Sequence, residues 1–406
     1  MTLAANPVIP LKRLAAVMPS NVDKHSVDGE QQVSLCNYVD VYKNERITDA
    51  LNFMEATATE AQVSRFTLQA HDVIVTKDSE EPTDIGIPAY VPSSLPGVVC
   101  GYHLAVLRPS DERLYGGYLH WALQSAEVKA YYSTAATCIS RYALGIGDLG
   151  MTPIHVPSRT EQVRIANFLD EQTARIDALI AEKERLTSAL AELRTARIWS
   201  AVTGQGAPSR QTVPESPWSP SIPSHWKVTP VGRFARLQRG FDLPEEERWP
   251  GSVPVMSGGG ISGWHSNARV KGPGVVTGRY GTIGILHYVE EDYWPLNTSL
   301  FVDDFFGNNE KYVYYVLSFL PWDMLGGKSA VPGVNRNDVH PLLVGAPPRV
   351  EQDAIVASLD TEFAQLSALS EHVQAHIARL REYRSSLISA AVTGQLDLST
   401  FKKAVQ

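Results

Sequence analysis

The sequence predicts an α+β chain in which two mixed α/β domains alternate with two long helices. Three observations predict it. A segment recurs 190 residues later without a gap, each copy keeps helical apolar spacing along its whole length, and the stretches before the copies are rich in Gly, aromatic and β-branched residues.

The first domain spans 1–155. "DVIVT" (Asp72–Thr76) and "GVVCGYHLAVLRP" (Gly97–Pro109) have the alternation of strands with turns, and "GYLHWALQSAEVKAYY" (Gly117–Tyr132) reads as a helix. The first long helix follows in 156–205. A linker, 206–222, carries Pro208, Pro214, Pro217 and Pro220 and is expected to be extended. The second domain, 223–345, holds "GVVTGRYGTIGILHYV" (Gly274–Val289) and "SLFVDD" (Ser299–Asp304) as strands, then a helix over Glu310–Leu320. The second long helix and a tail fill 346–406. The domains open alike, "LKRLAAV" at Leu11 and "VGRFARL" at Val231, and share little else in sequence.

The repeat is the strongest signal. Pro157, Arg159, Glu161, Gln162, Ile165, Leu169 and Asp170 recur as Pro347, Arg349, Glu351, Gln352, Ile355, Leu359 and Asp360, and both copies end in "AVTGQ". No Gly or Pro interrupts either copy between Val163 and Val202 or between Asp353 and Val392. Ser158 with Glu161 has the form of a capping box, and Gly204 and Gly394 stand where a left-handed stop residue is expected. A heptad reading puts Ile165, Leu169, Ile176, Leu179, Leu186, Leu190 and Leu193 on one seam. The same register gives Ile355, Leu359, Leu366, Leu369, Val373, Leu380, Tyr383 and Leu387 on the other, and each seam is the natural partner of the other.

Composition sets bounds. The chain has 406 residues, 44% of them hydrophobic and 20% charged, enough for real cores. No apolar run reaches the ~18–20 residues of a membrane span, and the N-terminus lacks the order of a signal peptide. Cys36, Cys100 and Cys138 have neither metal-ligand nor disulfide-framework spacing, which suits a reducing cytoplasm. The net charge of −8 offers nucleic acid no blanket attraction, so any binding must rest on local patches.

No catalytic constellation emerges. "GGGISG" (Gly258–Gly263) fits G-x-G-x-x-G, but neither a helix nor a suitably placed acid follows it. "LGGKS" (Leu325–Ser329) ends like a phosphate loop, but Trp322 occupies the position of its first glycine. The histidines are scattered. The chain therefore reads as a non-catalytic subunit with no metal of its own.

The repeated P-x-R-x-E-Q-x-x-I-x-x-x-L-D, closing in "AVTGQ", resembles the DNA-specificity subunits of type I restriction–modification systems. "GPGVVTGRYGTIG" at Gly272–Gly284, "YWPLNTSLFV" at Tyr293–Val302 and "SAVPGVNRNDV" at Ser329–Val339 add to the resemblance. It implies two target-recognition domains, each reading one half of a bipartite site on double-stranded DNA. The helices would form an antiparallel coiled coil with an approximate two-fold axis, set the spacing and dock two modification (methyltransferase) subunits. Restriction (translocase/endonuclease) subunits would join that core. S-adenosylmethionine, ATP and Mg would belong to those partners and none to this chain. The alternatives are a reader for a methylation-only or other phage-defence complex, or a coiled-coil adaptor that binds protein.

Candidate DNA contacts follow from the resemblance. In the second domain they are Arg279 and Tyr280 in the glycine-flanked loop, Lys328, Ser329, Asn335, Arg336 and Asn337; in the first, Lys77, Arg141 and Tyr142. The second domain has 11 basic and 12 acidic residues and the first 11 and 17, which favours a few placed side chains over a broad basic face.

Overall fold

The repeated segments form helices of 44 residues each, Arg159–Val202 (rod one) and Arg349–Val392 (rod two). The computed structural model describes residues 6–398 other than Asp111, Ile139, Ser140, Glu215, Pro217 and 326–332. The chain divides into two units, Met1–Glu184 with Gln374–Gln406, and Arg185–Val373. Each unit thus holds one head, the start of the rod that follows it and the end of the other rod.

In unit one, Val8–Pro10 pairs with Pro153–His155. A four-stranded antiparallel sheet runs Ala15–Pro19, Leu104–Pro109, Val73–Thr76, Pro88–Tyr90. Beside it lies a sheet of Met54–Ala58, Gln31–Cys36 and Val98–Cys100, whose last pair is parallel. In unit two, Lys227–Pro230 pairs with Leu343–Ala346. The four-stranded sheet runs Arg236–Arg239, Ser299–Asp304, Gly274–Gly278, Leu286–Val289, and the three-stranded one Gly260–His265, Val253–Ser257, Trp294–Pro295, again with a parallel last pair. The two main sheets of each head share one topology, despite little shared sequence; the first head adds a small sheet of Asp78–Ser79, Tyr142–Ala143 and Thr137–Cys138. Strand pairing depends on alternation and turns, which many sequences satisfy.

Local details differ from the sequence reading. Gly117–Tyr132 is two helices, Gly116–Leu123 and Ala126–Ala135, because Ser125 caps the second by accepting from Val128 N. The helix at Glu310 stops at Leu317. The linker is not simply extended: Arg210–Thr212 pairs with Ser221–Pro223. Its Arg210 guanidinium donates to the carbonyls of Thr203 (3.2 Å) and Gly204 (2.6 Å), a cation at the carbonyl end of rod one. Ser158 accepts from Glu161 N at 3.3 Å, while the Glu161 carboxylate pairs with Arg164.

Within each unit the rod segments run antiparallel. In unit one Arg384 bonds Asp177 (2.9 Å) and Arg381 bonds Glu184 (2.8 Å), so stepping back along rod two advances along rod one. In unit two Arg197 bonds Glu362 at 2.8 Å. Each head's core continues into the rods. Ile165, Leu169, Leu387 and Ile388 join the first core; Val202, Val356, Leu359 and Phe363 join the second.

The heptad seam is redrawn by the structure. Ile165, Leu169, Ile176, Leu359, Val373 and Leu387 are buried, and Leu190, Ile355, Leu366 and Leu380 half-buried. Leu179, Leu186, Leu193, Leu369 and Tyr383 are 41–49% exposed, while Val356, Phe363, Ile377 and Ile388 are buried instead. The buried face keeps a seven-residue repeat: Leu359, Leu366, Val373, Leu380 and Leu387 hold one seam position as read, but the second lies four residues on, at Phe363 and Ile377, rather than three on, at Leu369 and Tyr383.

The repeated glutamines explain how a rod is fixed to its head. Gln162 accepts from Tyr115 N (2.8 Å) and donates to the carbonyls of Arg113 (2.6 Å) and Pro157 (2.9 Å). Gln352 accepts from Asn309 N (2.8 Å) and donates to Pro347 O (2.9 Å) and Asn308 Oδ1 (2.7 Å). Asp170 and Asp360 repeat the pattern one level on. Asp170 takes Trp121 Nε1 and Arg46, and Asp360 takes Tyr315 Oη and Lys311.

"AVTGQ" closes each rod as a Schellman motif. Gln205 N donates to Ser200 O (2.9 Å) and Gly204 N to Ala201 O (3.2 Å); Gln395 N donates to Ala390 O (2.9 Å) and Gly394 N to Ala391 O (3.3 Å). Gly204 has φ +61° and Gly394 φ +75°, where a side chain costs about 1–2 kcal/mol. A Cβ on Gly204 would stand 2.3 Å from Pro223 Cγ, whereas one on Gly394 would meet only the end of the Asn6 side chain at 3.1 Å. Gly204→Ala is therefore expected to destabilise more than Gly394→Ala. Equal losses in urea unfolding would show that backbone strain alone sets the cost.

Candidate functional site

The second head builds a cleft of about 510 Å³ from both sides of its four-stranded sheet's end. Strand Arg236–Arg239 brings Gln238 and Arg239 and runs on into Gly240, Phe241 and Asp242. Arg279 comes from the turn after Gly274–Gly278, and Asn335 and Arg336 from the short helix Arg336–Val339.

The backbone fixes Arg279 on both sides. Its N–H donates to Thr298 O (3.0 Å) and its carbonyl accepts from Val334 N (2.9 Å). Its side chain donates to Asn297 O at 3.2 Å and to Tyr280 Oη at 3.4 Å, with the guanidinium 5.1 Å from the Tyr280 ring centroid. Tyr280 is half exposed and bridges Gly333. A Cβ at Gly333 would meet the Tyr280 ring at 2.6 Å, so the close approach needs glycine. Asn335 caps its helix, its Oδ1 accepting from Asn337 N (3.0 Å), and Asp338 returns the bond to Asn335 N (3.1 Å). Arg336 and Asn337 are exposed beside it. Lys328 and Ser329 lie outside the described residues.

His340 ties the two walls together. Its Nε2 accepts from Leu237 N at 3.0 Å, linking the Arg239 strand to the Arg336 helix. Burial, then Arg336 nearby, holds its pKa below the usual histidine value, so it stays neutral and able to accept.

The first head places Lys77 where the second places Arg279. Lys77 N donates to His103 O (3.0 Å) and its carbonyl accepts from Leu144 N (2.8 Å), the same pair of bonds. Leu144 and Val334 stand at the repeat offset of 190 residues. The Lys77 ammonium sits 4.8 Å over the Tyr102 ring. Tyr142 pairs with Ser79, and Arg141 bonds Glu80 at 3.2 Å with both ends exposed. His103 pairs with Asp78. Acids answer the bases here; in the second head's cleft three guanidiniums meet Asp242 as the only lining acid among the described residues.

Sequence reasoning missed Gln238, Arg239 and Asp242 in the second head and Tyr102 and His103 in the first. The only signal for the former is a polar and basic pair closing the strand before Gly240. Among the described residues, no three His, Cys, Asp or Glu side chains gather as a metal site, and no helix is long and apolar enough to cross a membrane.

No family model matches the chain. It is 22% identical over 297 residues to the type I restriction enzyme EcoDI specificity subunit of Escherichia coli, covering 62% of this chain and 64% of that relative's length. It also matches a chain from a structure describing complex assembly and conformational transition of the type I restriction–modification system, with a TM-score of 0.76 and 16% identity, covering 97% of this chain and 99% of that one. The HsdS subunit from Thermoanaerobacter tengcongensis matches with a TM-score of 0.54 and 17% identity over 96% of this chain and 97% of its own. The duplicated rods, the twin heads and these likenesses agree: the chain has the fold of type I restriction–modification specificity subunits and resembles one of them in sequence.

Proposed function

We propose that this chain is the DNA sequence-recognition subunit of a type I restriction–modification complex. Each head reads one half of a bipartite site on double-stranded DNA. The chain itself is non-catalytic and works in the cytoplasm. Two modification subunits supply adenine methylation with S-adenosylmethionine, and restriction subunits add ATP- and Mg-dependent translocation and cleavage.

One observation carries the reading. Two heads whose main sheets share one topology present different side chains, Lys77 and Arg279, at the same backbone position, on rods that repeat the same glutamine joint. A duplicated scaffold with divergent tips is what two half-sites and two identical partners require. Base edges in the major groove would supply the sequence information, and phosphates the position.

Co-expression with a modification subunit, followed by genome-wide mapping of methylated adenine, is expected to show a motif of two short blocks split by a fixed spacer. A continuous motif, or methylation without sequence preference, overturns the proposal.

A further inference from the structure

We propose that Arg279 reads a guanine in the half-site of the second head, while Arg239 and Arg336 hold the neighbouring phosphates. This rests on the reading of the chain as a DNA-sequence reader and adds the identity of one base.

The cleft puts three guanidiniums around one space. None of Arg239, Arg279 and Arg336 forms an ion pair among the described residues, and Asp242 is the only acid lining the cleft there. Three like charges gathered against a single carboxylate favour an acceptor-rich, anionic occupant. DNA offers two kinds of acceptor: phosphate oxygens everywhere, and the paired O6 and N7 of guanine on the major-groove edge.

The arginines differ in how they are held. Arg279 is half-buried, tied by its backbone to Thr298 and Val334, and its guanidinium is tethered to the Asn297 carbonyl and Tyr280 hydroxyl. Those two bonds leave other N–H donors of the planar fork free. Reading O6 and N7 together needs such a fork held in one place, because a shift of an ångström loses one of the two bonds. Arg239 and Arg336 are exposed and have no such tether among the described residues, which suits a phosphate that accepts from many directions. In the first head the matching position is Lys77, an ammonium without a fork. The two heads therefore differ in chemistry at their one shared reading position.

The test uses the complex of the full chain with its modification subunits and the bipartite site mapped as above. DNA is prepared with 7-deazaguanine replacing each guanine in turn, which removes N7 but keeps base pairing. Wild type is expected to lose roughly 5- to 150-fold in affinity at one guanine of one half-site. Arg279→Ala should bind the natural site with a similar loss, lose nothing further with the modified base, and accept other base pairs at that position only. Unchanged discrimination at the other half-site shows that the variant is folded. Arg239→Ala and Arg336→Ala should weaken all sequences alike and each lower the salt slope by about one. The assignment is overturned if 7-deazaguanine costs Arg279→Ala as much as wild type, if Arg279→Ala weakens all sequences equally, or if neither half-site contains a sensitive guanine. A wild-type complex with no sequence preference overturns the DNA-reading function itself, and this assignment with it.

Discussion

Arg108→Met is expected to destabilise the first unit by about 3–5 kcal/mol, because it strands a buried carboxylate. Asp72 is fully buried, and Arg108 grips it through both oxygens, Nε to Oδ1 at 2.8 Å and Nη2 to Oδ2 at 2.7 Å. Nη2 also donates to Thr67 O at 2.9 Å. Without the guanidinium, Asp72 keeps the bond from Gln69 N, far short of what an ionised carboxylate loses on leaving water. Asp72 immediately precedes the strand Val73–Thr76 that delivers Lys77, so the damage sits beside the reading position. Urea unfolding should show the loss, and adding Asp72→Leu should recover part of it. A midpoint that barely moves in Arg108→Met would mean that the carboxylate finds water or protonates at little cost.

Gln352→Leu is expected to cost about 3 kcal/mol in the second unit. Leucine roughly fills the volume but makes no hydrogen bond. Asn309 N and Pro347 O, which both bond the Gln352 amide, would lose that partner at a site only 1% exposed. Each orphaned group carries its own desolvation penalty, which the packing of a methyl does not offset. Gln162→Leu should do the same in the first unit, through Tyr115 N and Pro157 O. Hydrogen exchange reads the effect locally. Protection at the Asn309 amide should fall in Gln352→Leu and stay in Gln162→Leu. Retained protection at Asn309 in Gln352→Leu would show that another acceptor replaces the glutamine.

The rods were legible because their information is local. A gapless repeat, an uninterrupted helical pattern and a glycine stop each lie within a few residues, and the pairing of Gln162 with Gln352 was visible as plain identity. Their facing surfaces were less so. Leu179 and Tyr383 satisfy a heptad count yet stand exposed, since the count leaves open whether the second seam position lies three or four residues after the first, and the structure buries the fourth. The common topology of the heads' main sheets was not legible at all. Lys77 and Arg279 correspond through backbone bonds to His103, Leu144, Thr298 and Val334, and no side-chain identity marks those positions apart from their distance along the chain. Arg239 escaped notice for the same reason: only the sheet brings it to Arg279.

The division of the chain also orders its assembly. The second unit is one continuous stretch of chain, Arg185–Val373. The first draws Leu387, Ile388, Ala391, Val392 and Leu398 into a core that begins at Leu11. Closing so long a loop of open chain would forfeit roughly 4–5 kcal/mol of entropy, and a folded second unit within the loop has already met most of that cost. Vectorial synthesis usually finishes N-terminal domains first. Here the first head emerges first and is completed last, because Leu387, Ile388, Ala391 and Val392 of its core arrive only with the end of rod two.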